Sequence, residues 1–336
     1  MLNMFEQYLN ENSEKFNLYL DTFFNVDVHP DMLRYLYRPL RKFSDNAGKR
    51  HRPLICLLAT SAVGGDAKKA LSAAASIEHF HTAALIHDDI ADESLLRRNV
   101  PCMYITEGIG LAVNAGDLAL SLVNGTVLKD PALSPLIKLR ILTELIDMTA
   151  RTVEGQALDL GWARDERYDI SVEDYIIMAT HKTAFYSGGM PLAIGAIIGE
   201  APEETVESLR QYGMDTGLAF QIQDDILNLV GDAEVANKDF QSDITEGKRT
   251  LVAVHAMNHA QEREELISIL SAHTTDRALM SRAVEIMQNA GSIEYANEYA
   301  QKLVDNAKKA LRSLDLKEKE KNLLLDMADF LINRSL

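Results

Sequence analysis

Two clusters of acidic residues at helical spacing, about 135 residues apart, are the part of this chain best suited to chemistry. The first reads Ile86-His87-Asp88-Asp89-Ile90-Ala91-Asp92, and the second Phe220-Gln221-Ile222-Gln223-Asp224-Asp225-Ile226-Leu227-Asn228. Asp88 and Asp92 stand four residues apart, which places both carboxylates on one helix face about 6 Å apart along the axis. Asp224 and Asn228 repeat that spacing. Like charges so placed repel, and each cluster sits in an otherwise apolar stretch, where carboxylates are costly unless paired or bound to metal. Hard oxygen donors suit Mg²⁺, which keeps several waters and completes its shell with phosphate oxygens. The plainer alternative, acids in a first helical turn complementing the dipole, accounts for one cluster more easily than for both.

Basic residues form a second constellation. Gly48-Lys49-Arg50-His51-Arg52-Pro53 leads into a helix, with Pro53 suited to its first turn. Arg52 and Lys49 could grip a diphosphate, the guanidinium through paired hydrogen bonds. Arg97, Arg98, Lys182 with Thr183, Lys238 and Lys248 supply more donors, although each alone reads as an ordinary surface cation. His81 lies seven residues before Asp88, on nearly the same face; taken in isolation it is a core histidine. His79 and His87 have no comparable claim. The sequence holds no nucleophile elbow, Gly-rich phosphate loop or Cys/His metal set. The expected reaction is therefore metal-assisted departure of a leaving group, without covalent catalysis.

The elements that must position these residues are helical. Period-3.6 patterns run over 54–63, 67–92, 111–128, 136–162, 172–180, 203–230, 250–260, 276–290, 293–314 and 317–332, with no convincing alternating strand. Gly64-Gly65, Asp130-Pro131, Gly188-Gly189 with Pro191, and Ala201-Pro202 read as separators. The stretch 231–249 is the one long polar connection. The expected architecture is a single all-α domain over 1–336, with about ten or more helices around a deep central cavity. A hydrophobic content of 47% with 25% charge suits a globular protein, and a net charge of −16 argues against nucleic acid as partner. Cys56 and Cys102 fit free thiols in a reducing cytoplasm. No signal peptide or transmembrane segment is expected.

In residues 45 to 255 these motifs resemble the trans-isoprenyl diphosphate synthases, the polyprenyl synthetase family. Asp88 to Arg98 matches the first aspartate-rich motif with its Arg-Arg, Phe220 to Asp225 the second, and Gly48 to Pro53 the Gly-Lys-x-x-Arg-Pro motif. His81, Lys182-Thr183, Gln156 with Asp159, and Ser242 to Leu251 fall on further family positions. The resemblance implies that Asp88, Asp92 and Asp224 coordinate Mg²⁺, three ions being expected per active site, with Asp89, Asp225 and Asp243 behind them or bound through water. It implies that Arg97, Lys182, Thr183, Gln221, Lys238 and Lys248 hold an allylic diphosphate. Lys49, Arg52, His81 and Arg98 would hold isopentenyl diphosphate. Asn99, Asn228 and Asn237 depart from the family pattern; Asn228 could still coordinate through its carbonyl, and Asn tolerates left-handed backbone.

The implied chemistry is ionisation of the allylic diphosphate, attack by the isopentenyl double bond and loss of a proton, with water excluded. In this family the residues before the first motif line the path of the growing tail. Ala83 and Ala84 leave the first turn open, and Phe80, about 12 Å below Asp88, would be the floor, which favours a C20 product, geranylgeranyl diphosphate; C15 and longer products are the alternatives. On this reading Ala83→Phe shortens the product and Phe80→Ala lengthens it. A class I terpene cyclase would need no isopentenyl site, and a non-catalytic subunit would be expected to carry damaged Asp motifs. The family expectation for assembly is a homodimer, in the cytoplasm.

Overall fold

Ala, Leu, Met and Glu at helical spacing make nearly every segment of this chain a helix. The computed structural model describes residues 3–46, 48–231 and 241–332. The all-α expectation holds, and the contacts group into two compact units: Met1–Thr149 with Met190–Leu209 and Asp315–Leu323, and Ala150–Gly189 with Arg210–Leu314 and Leu324–Leu336.

The first unit begins with α1 (Met4–Asp21), which the sequence pattern did not reveal. Asn3 caps it, its Oδ1 accepting from the amides of Phe5 and Glu6 at 2.8 and 3.2 Å. Phe5, Leu9, Phe16 and Leu20 form its buried stripe. Next come α2 (Pro30–Met32), α3 (Arg38–Asp45), α4 (His51–Ala62), α5 (Leu71–Ala91), α6 (Met103–Glu107) and α7 (Ile109–Lys129). α5 is the central element: Ala73, Ala74, Ala75 and Ala83 are fully buried, and these small side chains let α7 and α4 pack closely against it. By length and composition α7 could cross a membrane, yet its Ala112, Ala115, Gly116, Ala119 and Val123 are buried within this unit.

A hairpin follows α5 where the sequence offers no strand signal. β1 (Leu96–Arg97) and β2 (Val100–Pro101) pair antiparallel, Arg97 opposite Val100. Two-residue strands are too short to show alternation. The turn residues Arg98 and Asn99 are both left-handed, φ 52° and 63°, the geometry of a tight hairpin turn. An Asn in that position is therefore well suited to its backbone.

α8 (Pro135–Arg164), α9 (Val172–Ala179), α10 (Met190–Ile198) and α11 (Glu203–Val230) complete the middle of the chain. Ser171 and Asp174 cap α9 reciprocally. Gly188-Gly189 with Pro191 does not separate helices as expected. The chain passes from α9 through a π-helical segment, Thr180–Gly189, straight into α10, of which Pro191 is the second residue. In the second unit the later helices Leu251–His259, Arg263–Ser271, Arg277–Asn289 and Ser292–Arg312 pack on one another.

Candidate active site

In the first unit the end of α5 gives the three aspartates of the first motif different environments. The helix stops at Ala91, and Asp92 closes it, its amide donating to the Asp88 carbonyl at 2.8 Å. Asp88 is half-buried and Asp92 exposed, whereas Asp89 is 1% exposed. The hairpin returns Arg97 to Asp89, with Nε and Nη2 donating to Oδ1 at 2.8 and 2.5 Å. Burial alone would lower the Arg97 pKa; the hydrogen bonds and charge of Asp89 outweigh it and hold the guanidinium firmly protonated. Asp89 thus anchors an arginine, while Asp88 and Asp92 are left nearer solvent. Cys56 and Cys102 are free and buried, and burial with the adjacent Asp89 charge pushes the Cys102 thiol up to about 12.

The expected isopentenyl-binding residues also gather in this unit. Arg52 is buried, and its Nη1 lies 3.3 Å from Nε2 of His81. A guanidinium can only donate, so Nε2 accepts and the His81 ring is the neutral tautomer protonated at Nδ1. Burial drives the His81 pKa well below its ordinary value, and the positive charges of Arg52, His51, Arg98 and Arg97 add to that. Arg98 donates to the Asn46 carbonyl at 2.5 Å. Burial lowers its pKa as well, opposed by Glu78 and reinforced by Arg50, Arg97 and Arg52. Lys49 is exposed. Cations crowded around a neutral imidazole are what a multiply charged anion would relieve.

The three chain-length candidates differ in environment. Phe80 is 3% exposed, Ala83 fully buried and Ala84 half-buried. At 100° per residue Ala84 lies about 40° from Asp88 on the helix wheel, Phe80 about 80° and Ala83 about 140°. Ala84 is therefore the position with room beside Asp88, and a Phe at Ala83 would overpack a closed site.

In the second unit the π-helical segment carries Lys182 and Thr183; such segments are frequent at functional positions. The backbone of α8 meets it at Gly155, where a Cβ would lie 2.2 Å from the Lys182 amide nitrogen. Lys182 Nζ pairs with Asp159 on the same stretch of α8. Thr183 is buried. On α11, Gln221 Nε2 donates to Asp225 Oδ1 at 2.7 Å and the Tyr175 hydroxyl donates to Oδ2 at 2.9 Å. Burial raises Asp225 to about 8, with the Asp243 carboxylate adding to it and Gln221, Tyr175 and Lys248 opposing. Asp224, beside it, is half-buried. Lys248 Nζ reaches Asp243 Oδ1 at 3.2 Å and Glu246 Oε2 at 2.6 Å; burial lowers its pKa, but these carboxylates raise it further. Asn228 holds the following turn, its Oδ1 accepting from the Asp243 amide at 3.2 Å and its Nδ2 donating to Ser242 Oγ at 3.1 Å. That carbonyl is engaged with backbone, a role spacing alone did not reveal. Lys238 and Asn237 lie outside the described residues.

Sequence reasoning missed Arg50 and Glu78, an ion pair buried in the first unit, and Tyr175, on which no motif falls. Arg50 stands inside the Gly-Lys-x-x-Arg-Pro motif, so its charge was visible and its inward direction was not. Among the described residues no group of three or more His, Cys, Asp or Glu side chains converges as a ready-made metal cage. Half-buried Asp88 and exposed Asp92 in the first unit, and half-buried Asp224 in the second, each offer only oxygen donors, the ligand type that suits Mg²⁺.

A family model of polyprenyl synthetases matches residues 33–287. The chain is 40% identical over 310 residues to a short chain isoprenyl diphosphate synthase of Methanothermobacter thermautotrophicus, covering 92% of both. It is 37% identical to a geranylfarnesyl diphosphate synthase of Natronomonas pharaonis, covering 89% of this chain and 90% of that protein. The crystal structure of a geranylgeranyl pyrophosphate synthetase from Pyrococcus horikoshii Ot3 superposes with a TM-score of 0.90 at 31% identity, covering 99% of each chain. This chain belongs to the polyprenyl synthetase family, the trans-prenyltransferases.

Proposed function

We propose that the protein condenses isopentenyl diphosphate with an allylic diphosphate and releases geranylgeranyl diphosphate, a C20 all-trans product. The observation that carries this reading is Arg52 against neutral His81, with the Arg98 charge close enough to act on that ring, which we read as a second anion-binding set. A cyclase, which takes a single diphosphate substrate, has no use for it. The names of the relatives, geranylgeranyl and geranylfarnesyl synthases among them, support a product of C20 or close to it.

In this reading Asp88, Asp92 and Asp224 would hold Mg²⁺, whose charge would offset that of the allylic diphosphate as it departs. Lys182, held by Asp159, Lys248, held by Asp243 and Glu246, and Arg97, held by Asp89, add fixed positive charge to the leaving group, together with Thr183, Gln221 and Lys238. Asp225 is the carboxylate behind Asp224, kept in place by Gln221 and Tyr175. His81, unable to protonate at neutral pH, accepts from Arg52 and keeps the guanidinium aimed at the isopentenyl diphosphate. The allylic cation is attacked by the isopentenyl double bond, and the proton lost from the adjacent carbon goes to an oxygen of the released diphosphate. The growing tail leaves Asp88 along the Ala84 side of α5 and stops at Phe80. A homodimer in the cytoplasm completes the proposal. The dimer is supported by an apolar heptad stripe on α8, Leu136, Leu139, Ile146, Val153 and Leu160, each at least 39% exposed.

The test is release of inorganic diphosphate from C15 allylic diphosphate with Mg²⁺, with and without isopentenyl diphosphate. Release that requires isopentenyl diphosphate, and that Asp88→Asn and Asp224→Asn each reduce by a factor of about 100 or more, fits the proposal. Release from the allylic substrate alone would identify a cyclase.

A further inference from the structure

Lys49, Arg50 and Arg52 are three cations within four positions, and Arg50 is the one to which the motif assigns no role. The structure gives Arg50 partners of its own. Its backbone is left-handed, φ 52°, a conformation costing a non-glycine residue roughly 1–2 kcal/mol, and the residue is 4% exposed. Nε donates to Asn17 Oδ1 on α1 at 2.7 Å, Nη1 to Glu78 on α5, and Nη2 to the Ser44 carbonyl on α3. Every nitrogen of the guanidinium is thus engaged, each with a different helix. Glu78 is equally buried, its side chain 5% exposed, so each charge needs the other. Three residues along α5 from Glu78, His81 meets Arg52 at 3.3 Å. The residue before α4 and the first turn of α4 are therefore each tied to α5, once through Arg50–Glu78 and once through Arg52–His81.

We infer that Arg50 is a positioning residue: locked to Glu78, Asn17 and Ser44, it sets the direction in which Lys49 and Arg52, on either side, reach the isopentenyl diphosphate. This rests on the assignment of that substrate to Lys49, Arg52 and His81 above. The left-handed residue is strained, and the buried ion pair holds it there; without that pair the loop relaxes and the two neighbouring cations lose their aim.

The experiment compares wild type with Arg50→Met, Arg50→Lys, Glu78→Gln and the double variant Arg50→Met/Glu78→Gln by steady-state kinetics and amide hydrogen exchange. In Arg50→Met, KM for isopentenyl diphosphate is expected to rise about tenfold or more, with kcat and KM for the allylic diphosphate changed less than about threefold. Arg50→Lys recovers part of the loss, because it keeps a charge opposite Glu78. The double variant is no worse than Arg50→Met, both changes removing one contact. The amides of residues 49–54 exchange about tenfold faster in Arg50→Met. An unchanged KM with unchanged exchange overturns the inference, and so does an equal rise in KM for both substrates, which marks a general structural loss. If wild type consumes no isopentenyl diphosphate, the functional reading falls, and the exchange measurement alone decides the anchor. If Arg50→Met does not fold, Arg50→Lys decides: its KM for isopentenyl diphosphate rises or the anchor is refuted.

Discussion

His79 gives the helix that presents Asp88 an acid limit. The residue is 2% exposed, its ring in edge contact with Phe23 and Phe24 at 5.0 and 6.3 Å, and its buried Nε2 has no hydrogen-bond partner. An imidazolium there would have no acceptor for that proton, and burial lowers its pKa from 6.5 to about 3. A folded-state pKa below the unfolded value means that between pH 6.5 and 3 the unfolded chain binds more protons. The stability from this site is therefore fully present above pH 6.5 and is lost as pH falls toward 3. From pH 8 to pH 5 the loss is about 2 kcal/mol, the free energy of protonating a pKa 6.5 group in the unfolded chain when the folded one stays neutral. His79→Phe keeps the aromatic contacts and removes the titration. Urea unfolding of both proteins at pH 8 and pH 5 isolates the effect, since each protein is compared with itself and the neighbouring His81 is common to both. Wild type should lose about 2 kcal/mol more than His79→Phe. Equal losses would show that His79 titrates normally and that the packing argument is wrong.

Other perturbations separate the remaining roles. Ala84→Phe should shift the product toward C15 while Phe80→Ala lengthens it, read by reversed-phase separation of the dephosphorylated prenols; unchanged products from both would move the floor elsewhere. Ala83→Phe, at a fully buried position, should cost stability, about 1–3 kcal/mol by thermal melting. Gly188→Ala places a Cβ 2.0 Å from the Gly213 carbonyl oxygen, so it should destabilise by more than the roughly 1 kcal/mol that Ala gains in a helix. Gly125→Ala, with nothing within 4 Å, should stabilise by about that amount. Asn99→Gly should leave the melting temperature nearly unchanged, whereas Asn99→Val, β-branched at φ 63°, should lose about 1–3 kcal/mol.

Long amphipathic helices were legible because their apolar period is strong, and the paired aspartates because like charges in such a stretch demand an explanation. What the sequence could not show was direction. Spacing put Asp88 and Asp92 on one face and left Asp89 off it, but did not show that the helix end turns Asp89 inward to Arg97 and leaves Asp92 exposed. Arg50 and Arg52 differ by two positions, and a single left-handed residue sends one to Glu78 and the other to His81. α1 escaped notice because its apolar residues are interleaved with Glu, Asn and Lys, so its mean hydropathy is low. The hairpin at residues 96–101 escaped because two-residue strands have no period to detect. Gly188-Gly189 with Pro191 read as a break, when the glycines serve a close helix crossing and the proline lies in a continuous helical run. Asn228 read as a residue that could coordinate through its carbonyl, and the turn it holds, through the Asp243 amide, depends on residues far enough along the chain to hide the contact.

The most direct measurement is condensation of labelled isopentenyl diphosphate with C15 allylic diphosphate in Mg²⁺, products resolved by chain length, repeated after chelation of the metal. A discrete C20 product that disappears with the metal is the expected result. A folded, metal-loaded sample that leaves isopentenyl diphosphate unconsumed with C5, C10 and C15 starters alike would contradict the assignment of prenyl transfer to these residues.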